Sequence, residues 1–500
     1  MKGKRTFYNI TFGLLSQLLV MAFGLIISRL FILNYGSEVN GFMSSIAQIF
    51  IYMTILEAGV GLASIQALYK PISANNKDEM NGILAATSKY YKRTGIYYLI
   101  GVIVMAIVYP IFIKSSISRI NVFLVIFFTG LVGVVNFYYQ AKFKTLLTAE
   151  GKSYVVTNAT MIATTLSNLV KIALIYMGYN IVLIQLSFFI INLVQIIIIN
   201  VYIKKNYKWI DLSVKPNYDA ISQKNSVLVH QISGMIFNNT DILILSVFCG
   251  LKVVSVYVLY NYVFGMITSV INNINTGILF IFGSSYNEDR NKFLKLYNAY
   301  ELYYVAIVFA LYAIAYILVL PFMKLYTAGI TDVNYINYWL TILFVAVNLM
   351  SCARNPGLNA INIAGHFKKT QFKSIFESTI NIVVSLICVK QFGIYGVLMG
   401  TITALLYRTN DIIIYTSKHI LKTSPLITYK RWFINIVLFL SVIFAISKLD
   451  LLANSYASFA ITGVILSIII IPLFFIVASI FDIKSFNYAF GYVKKYLHRI

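Results

Sequence analysis

RNPGLNAINIAGHFKKTQFKSIFESTINIVVSLICVKQFGIYGVL, residues 354–398, decides how this chain is read. It joins a small-residue turn (Ala364-Gly365), a basic connector (Lys368, Lys369) and an apolar run of helix length closed by Phe392-Gly393. An earlier stretch has the same layout: Ala149-Glu150-Gly151-Lys152, an apolar run, then Met177-Gly178 and Val182-Leu183. Ala149 and Ala364, Gly178 and Gly393, and Leu183 and Leu398 are each 215 positions apart; Gly36 and Val39 precede Gly250 and Val253 by 214. Pro110 and Pro321 differ by 211. A shared offset of this kind marks an internal duplication, which sets the architecture. The expected division is 1–214 (an N-terminal lobe, helices 1–6), 215–425 (a C-terminal lobe, helices 7–12) and 426–500 (helices 13–14 and a cytoplasmic tail without a counterpart).

The 500 residues are 59% hydrophobic and 11% charged, with a mean hydropathy of +0.80. Apolar runs of ~20 residues, enough to cross ~30 Å of hydrocarbon, recur along the chain. Runs such as 184–203 do not alternate as the strands of a membrane barrel do. The expected fold is therefore an all-α polytopic membrane protein of about fourteen transmembrane helices. Spans are expected at 10–33, 41–63, 94–113, 120–140, 154–177, 181–203, 226–249, 254–282, 300–323, 336–361, 372–390, 395–415, 432–447 and 455–481. The connector 64–93, with Lys70-Pro71, a polar centre and then 80–91, is expected to form an interfacial helix on the cytoplasmic face. Six spans per half is an even number. Both halves then enter the membrane the same way up, as parallel repeats related by a pseudo-twofold axis along the membrane normal.

The net charge of +24 raises nucleic acid as a partner, but its placement excludes that reading. Most of the 40 Lys and Arg fall on the side of the amino terminus, so both termini are expected to be cytoplasmic. That face also attracts anionic membrane lipids. The first span, after Lys2, Lys4 and Arg5, shows no small-residue cleavage site and is expected to be retained. Cys249, Cys352 and Cys388 lack metal spacing.

Charged groups deep in a span are costly and mark function by default. Arg29, Arg354 and Arg408 stay charged and must be solvated or paired. They are candidates to line a hydrated cavity; the alternative is internal pairing, as of Arg408 with Asp411 one turn away. Glu57 and Lys171 lie near span ends, within snorkelling reach, and Lys171 is kept beside the arginines as a candidate substrate contact. Asp241 is the deepest acid, and Glu377 and Asn381, four apart, share a helix face. Such a set suits a hard cation such as sodium, or a proton taken up by a carboxylate; the alternative is a polar clasp between helices. His230 reads as a packing residue. Outer loops are short and carry no reactive cluster, so the chain is not expected to be an enzyme or to hold a cofactor.

Arg354, Gly365-His366-Phe367-Lys368-Lys369-Thr370, Glu377, Asn381, Gly393-Ile394-Tyr395-Gly396 and Arg408, with Asn239-Thr240-Asp241 and Glu57-Ala58-Gly59, resemble the polysaccharide-transporter family of bacterial O-antigen and capsule repeat-unit flippases. That family is similar to the lipid II flippases and multidrug extruders of a wider multidrug, oligosaccharidyl-lipid and polysaccharide exporter superfamily. The resemblance implies two six-helix lobes in the cytoplasmic (inner) membrane that work by alternating access. They would move an undecaprenyl-diphosphate-linked oligosaccharide to the outer face, alongside other polysaccharide-assembly proteins. It also implies a coupling ion, Na+ or H+, with a sodium site mapping to Asp241, Glu377 and Asn381. Arginine suits a diphosphate because its planar fork bonds phosphate oxygens in pairs. The rival reading is a cation-coupled exporter of small amphipathic compounds, which calls for an acidic or apolar cavity.

Overall fold

The computed structural model describes residues 2–57, 60–113, 115–221, 224–447 and 455–497. Ala58 and Gly59, and the side chain of His230, lie outside the described residues. Within them the chain is helical and contains no strand. That follows from the apolar runs, because in hydrocarbon a helix satisfies its own backbone N–H and C=O groups.

The first half carries α1 (Lys2–Met53), a 3-10 turn (Thr54–Glu57), α2 (Val60–Ser73), α3 (Lys77–Phe112) and α4 (Arg119–Val135). A π-helical turn (Asn136–Gln140) leads to α5 (Ala141–Ala149), followed by α6 (Ser153–Tyr176) and α7 (Ile181–Asn206). Next come α8 (Lys224–Phe248), α9 (Leu251–Glu288), α10 (Arg290–Tyr326), α11 (Tyr338–Ala353) and α12 (Asn355–Ile363). The chain continues through α13 (Phe367–Phe392), α14 (Ile394–Tyr415), α15 (Leu426–Ile446), α16 (Tyr456–Phe481) and α17 (Ile483–Leu497). Polar residues at the water-facing ends stop and start these helices. Asn76, Ser118, Asn180, Asp289, Asn337 and Ser455 each accept a bond from an exposed amide of the following first turn.

Eleven of the described helical segments are long and apolar enough to cross a membrane. One of them, α1, is two legs bent at Gly36 (φ 84°, ψ 165°) and so carries two expected spans. The two further expected spans fall on α8, of which Asn239–Phe248 is an apolar helical stretch, and on the α11/α12 pair. Among the described residues the expected spans thus fall mainly on helix, with 41–63 interrupted after Met53 and 336–361 broken at Arg354, and the fold is all-α and polytopic. The connector 64–93 is helical, but in two pieces: α2 runs to Ser73, and α3 starts at Lys77 and runs unbroken into the span. Its polar segment is long enough to continue the same helix, and the Asn76 cap sets the start upstream of Met80. Three glycine pairs at repeat spacing, Gly36 and Gly250, Gly151 and Gly365, and Gly178 and Gly393, all have positive φ. Each sits at a helix break or end where a side chain would be strained.

The chain divides into two compact units, Met1–Ser255 and Val256–Ile500. This boundary lies beyond position 214 because α8 packs along α1. There Asn40 Nδ2 donates to Ser255 Oγ at 2.7 Å, and the hydroxyls of Tyr52 and Thr240 are 2.5 Å apart. Phe42, Ile46, Ala106, Val125, Ile126 and Ile184 fill the centre of the first unit. In the second, Tyr260, Phe264 and Phe344 stack face to face, and the Tyr260 hydroxyl donates to the Tyr335 carbonyl at 3.0 Å. The large side chains left exposed, such as Ile111, Trp339, Ile468 and Phe433, are the surface a lipid bilayer would cover.

Candidate functional site: a buried ion-pair network in the second unit

Arg354 stands at a break between two helices. It ends α11 and precedes α12, where Pro356 in the first turn lacks an N–H to continue the ladder. The break puts the guanidinium beside α13, where Arg354 Nη1 meets Glu377 Oε1 at 2.6 Å. The other carboxylate oxygen, Oε2, faces Arg408 Nε of α14 at 3.5 Å. Arg408 also binds Asp411 Oδ2 through Nη1 at 2.6 Å and donates through Nη2 to Ser374 Oγ at 3.1 Å. Asp411 Oδ1 is in turn paired with Lys373. Helical spacing explains half of this. Lys373 and Glu377 are four apart on α13, and Arg408 and Asp411 three apart on α14, so each pair shares a face.

The arginine end of the network is nearly dry, with 3% of the Arg408 side chain exposed, 8% of Glu377 and 10% of Arg354, whereas 32% of Lys373 is exposed. Burying an ion costs several kcal/mol unless partners and hydrogen bonds compensate. Here three cations, Arg354, Lys373 and Arg408, share two carboxylates, which leaves a net charge of +1. Toward water the cluster continues through aromatics. The Lys373 ammonium lies 4.8 Å from the Tyr415 ring centre, and the Tyr415 hydroxyl is 3.1 Å from His366 Nδ1. His419 stacks on Tyr415 at 4.6 Å. Slight desolvation, then nearby Lys369 and His419, hold the His366 imidazole below its ordinary range.

The other expected site residues lie elsewhere. Asn381 is fully buried and donates through Nδ2 to Thr401 Oγ1 at 2.9 Å, which ties α13 to α14. The two helices nearly touch there: a Cβ on Gly400 would sit 2.1 Å from Ser385 Oγ. Arg29 is half-buried on the first leg of α1, and Lys171, on α6, holds its ammonium 4.2 Å from the Phe188 ring centre on α7. Glu57 accepts from the Tyr91 hydroxyl at 2.9 Å. Asp241 is buried on α8, next to the Thr240 hydroxyl that meets Tyr52. Arg29, Lys171 and Asp241 belong to the first unit, and Arg354, Glu377, Asn381 and Arg408 to the second.

Glu377, expected to help hold sodium, has both oxygens facing guanidinium groups rather than an open cation site. Asn381 turns its amide nitrogen to Thr401, and its buried Oδ1 has no hydrogen-bond partner among the described residues. Among the described residues, no group of three or more His, Cys, Asp or Glu side chains is placed to hold a metal ion.

No family model and no curated protein matches the sequence. The lipid II flippase MurJ, in an inward closed conformation, is similar in structure with a TM-score of 0.68 at 13% identity, covering 95% of this chain and 99% of that one. A multidrug resistance MATE family transporter of the MOP superfamily, facing inward, gives a TM-score of 0.62 at 17% identity, over 81% of this chain and 96% of that one. An outward-facing structure of such a transporter gives 0.53 at 15% identity, over 81% and 94%. The chain has the fold of MOP superfamily transporters. At these identities the likeness is one of fold.

Of the network, sequence reasoning picked out Arg354, Glu377 and Arg408 from depth in the membrane and offered Asp411 as an internal partner. It passed over Lys373 and Ser374, whose signal was only their helical spacing from Glu377. It also passed over Arg431, which lies close to the start of its span and was counted with the surface charge.

Proposed function

We propose that the protein is a flippase that exports an undecaprenyl-diphosphate-linked oligosaccharide repeat unit across a bacterial cytoplasmic membrane, by alternating access, for surface polysaccharide biosynthesis. The observation that carries this reading is the chemistry of the network: two buried arginines and a lysine outnumber their carboxylates. A drug exporter for cationic amphiphiles would want the opposite excess. The difficulty in flipping such a lipid is carrying a diphosphate and a glycan past a low-dielectric layer while the polyprenyl tail stays in lipid. Guanidiniums already desolvated and oriented by Glu377 and Asp411 need little rearrangement to take up phosphate oxygens in exchange for carboxylate oxygens.

That exchange also supplies a switch. Without substrate, the carboxylates hold α11, α13 and α14 together through Arg354 and Arg408. A diphosphate that takes over the guanidiniums frees Glu377 and Asp411, and so binds one arrangement of these helices better than the other. A ligand shifts a conformational equilibrium only by such a difference in affinity. We assign coupling to Asp241 on α8, with a proton or a sodium ion as the driving ion, and place both termini in the cytoplasm. The protein is a transporter in this reading and performs no covalent chemistry.

Deleting the gene should leave the lipid-linked repeat unit synthesised but held on the cytoplasmic leaflet. Arg408→Ala should do the same while still inserting, and Arg408→Lys should restore transport only in part, because an ammonium is a point charge rather than a fork. Asp241→Asn should abolish ion dependence with folded protein still in the membrane. Normal surface glycan in the deletion strain, with no stranded precursor and no related flippase present, would favour the amphipathic-compound exporter instead.

A further inference from the structure

At one end of the second unit, α10, α15, the end of α16 and α17 enclose a cavity of about 740 Å³ that plays no part in the network above. Its level is set by the helix ends: α10 begins at Arg290, α15 at Leu426 and α17 at Ile483, and α16 stops at Phe481. This is where the spans leave hydrocarbon. Three exposed lysines rim it, Lys295 of α10, Lys430 of α15 and Lys484 of α17. Leu302, Ile427, Ile434, Ala478 and Phe481 form the apolar part of its wall.

Arg431 also lines the cavity and is 4% exposed. It is clamped in place: Nη1 pairs with Glu301, and Nη2 reaches Asp482 Oδ2 at 2.7 Å, Asn298 Oδ1 at 3.1 Å and Ser485 Oγ at 3.3 Å. Glu301 is fixed in turn by the Thr428 hydroxyl at 2.8 Å and the Tyr297 hydroxyl at 3.3 Å. The remaining donor of the guanidinium, Nε–H, finds no acceptor among the described residues. Arg431 is matched by Glu301 and Asp482, so the excess positive charge at the cavity comes from Lys295, Lys430 and Lys484.

A rigid buried donor, a cationic rim and an apolar wall at the membrane surface match a phosphate attached to acyl chains. We propose that this cavity binds the headgroup of an anionic glycerophospholipid from the surrounding bilayer. The phosphate lies among the lysines and Arg431, and the glycerol and first methylenes lie against Leu302, Ile434 and Phe481. Basic pockets between transmembrane helices on the cytoplasmic side are the usual receptors for such headgroups. The neighbouring helix supports a lipid over a free anion. On α17, Ile483, Phe486 and Phe490 are exposed on an apolar stripe at helical spacing, beside Lys484, which is the pattern of a helix lying in the headgroup layer.

The test uses the full-length protein in neutral detergent micelles, with lipid retention read by native mass spectrometry and melting temperature read in parallel. Phosphatidylglycerol should be retained about tenfold over phosphatidylcholine. Replacing Lys295, Lys430 and Lys484 together by glutamine should remove that preference without lowering the melting temperature of the lipid-free protein, whereas arginine at the same positions should keep it. If the triple glutamine variant folds poorly, Lys295→Gln and Lys484→Gln singly should each weaken the preference by severalfold. Equal retention of the two lipids, or a preference unchanged in the glutamine variants, would overturn the proposal. So would stabilisation by inorganic phosphate equal to that by phosphatidylglycerol, which would mark a free-anion site. Displacement by undecaprenyl diphosphate at equal concentration would assign the cavity to the transported substrate instead.

Discussion

Replacing Glu377 with glutamine removes the one acid that serves two guanidiniums while keeping nearly the same shape. The parent network holds three cations against two carboxylates; the variant holds three against one. At an effective dielectric of ~20, charges separated by the 2.6 Å and 3.5 Å of the two Glu377 contacts attract by about 6 and about 5 kcal/mol gross. Desolvation of the carboxylate and the hydrogen bond that the amide oxygen retains cancel most of this. The net cost of removing one partner from a buried pair is ~3–5 kcal/mol. Arg354→Gln should cost less, ~1–3 kcal/mol, because Glu377 keeps Arg408. The double variant should then fall short of the sum by about 2 kcal/mol, since both single changes break the same contact. Unfolding by SDS titration in mixed micelles, followed by circular dichroism, measures all three. A Glu377→Gln stability within ~0.5 kcal/mol of the parent, or strict additivity in the double variant, would refute the reasoning that this carboxylate holds the helices together.

Gly400→Leu should prevent stable packing of α13 on α14, because even a Cβ there would lie 2.1 Å from Ser385 Oγ and 2.7 Å from Ser385 N; the yield of monodisperse protein after extraction checks this. At Asp482, burial works against the charge, but bonds from Arg431 and from the Ser485 amide and hydroxyl prevail and hold the carboxyl below its ordinary range. A depressed carboxyl stabilises the folded state above its unfolded value of about 3.9 and loses that contribution as pH falls through the folded value. Proteolysis of α17 should therefore be slow at neutral pH and speed up only below about pH 4, and Asp482→Asn should abolish the step. In a cysteine-free background, single cysteines at Ser213 and Ser455 probed on whole cells with an impermeant thiol reagent should label only at Ser455. Labelling at Ser213 would reverse the topology.

What the chain declares on its own is whatever depends on near neighbours in sequence. Apolar runs of span length that do not alternate require helices, because a helix satisfies its own polar groups in lipid, so among the described residues the expected spans fall mainly on helix. Asn76, Ser118 and Ser455 announce helix starts, and glycines at 214 or 215 spacing announce recurring breaks, because cap bonds and positive φ are local events. Depth in a span likewise singled out Arg354, Glu377 and Arg408, because the cost of burying an ion is visible from hydropathy alone. Which charges meet is a different matter. Arg354 and Glu377 are 23 positions apart and Arg431 and Glu301 are 130 apart, so their pairing depends on how α11 sits against α13 and α15 against α10. The same holds for Asn381, whose amide nitrogen meets Thr401 only because α13 and α14 approach closely. It holds too for α8, whose packing along α1 no sequence spacing announces. Helix identity is written in windows of about twenty residues. Partnership between helices is settled only when small residues let two backbones approach and bring distant side chains within a few ångströms.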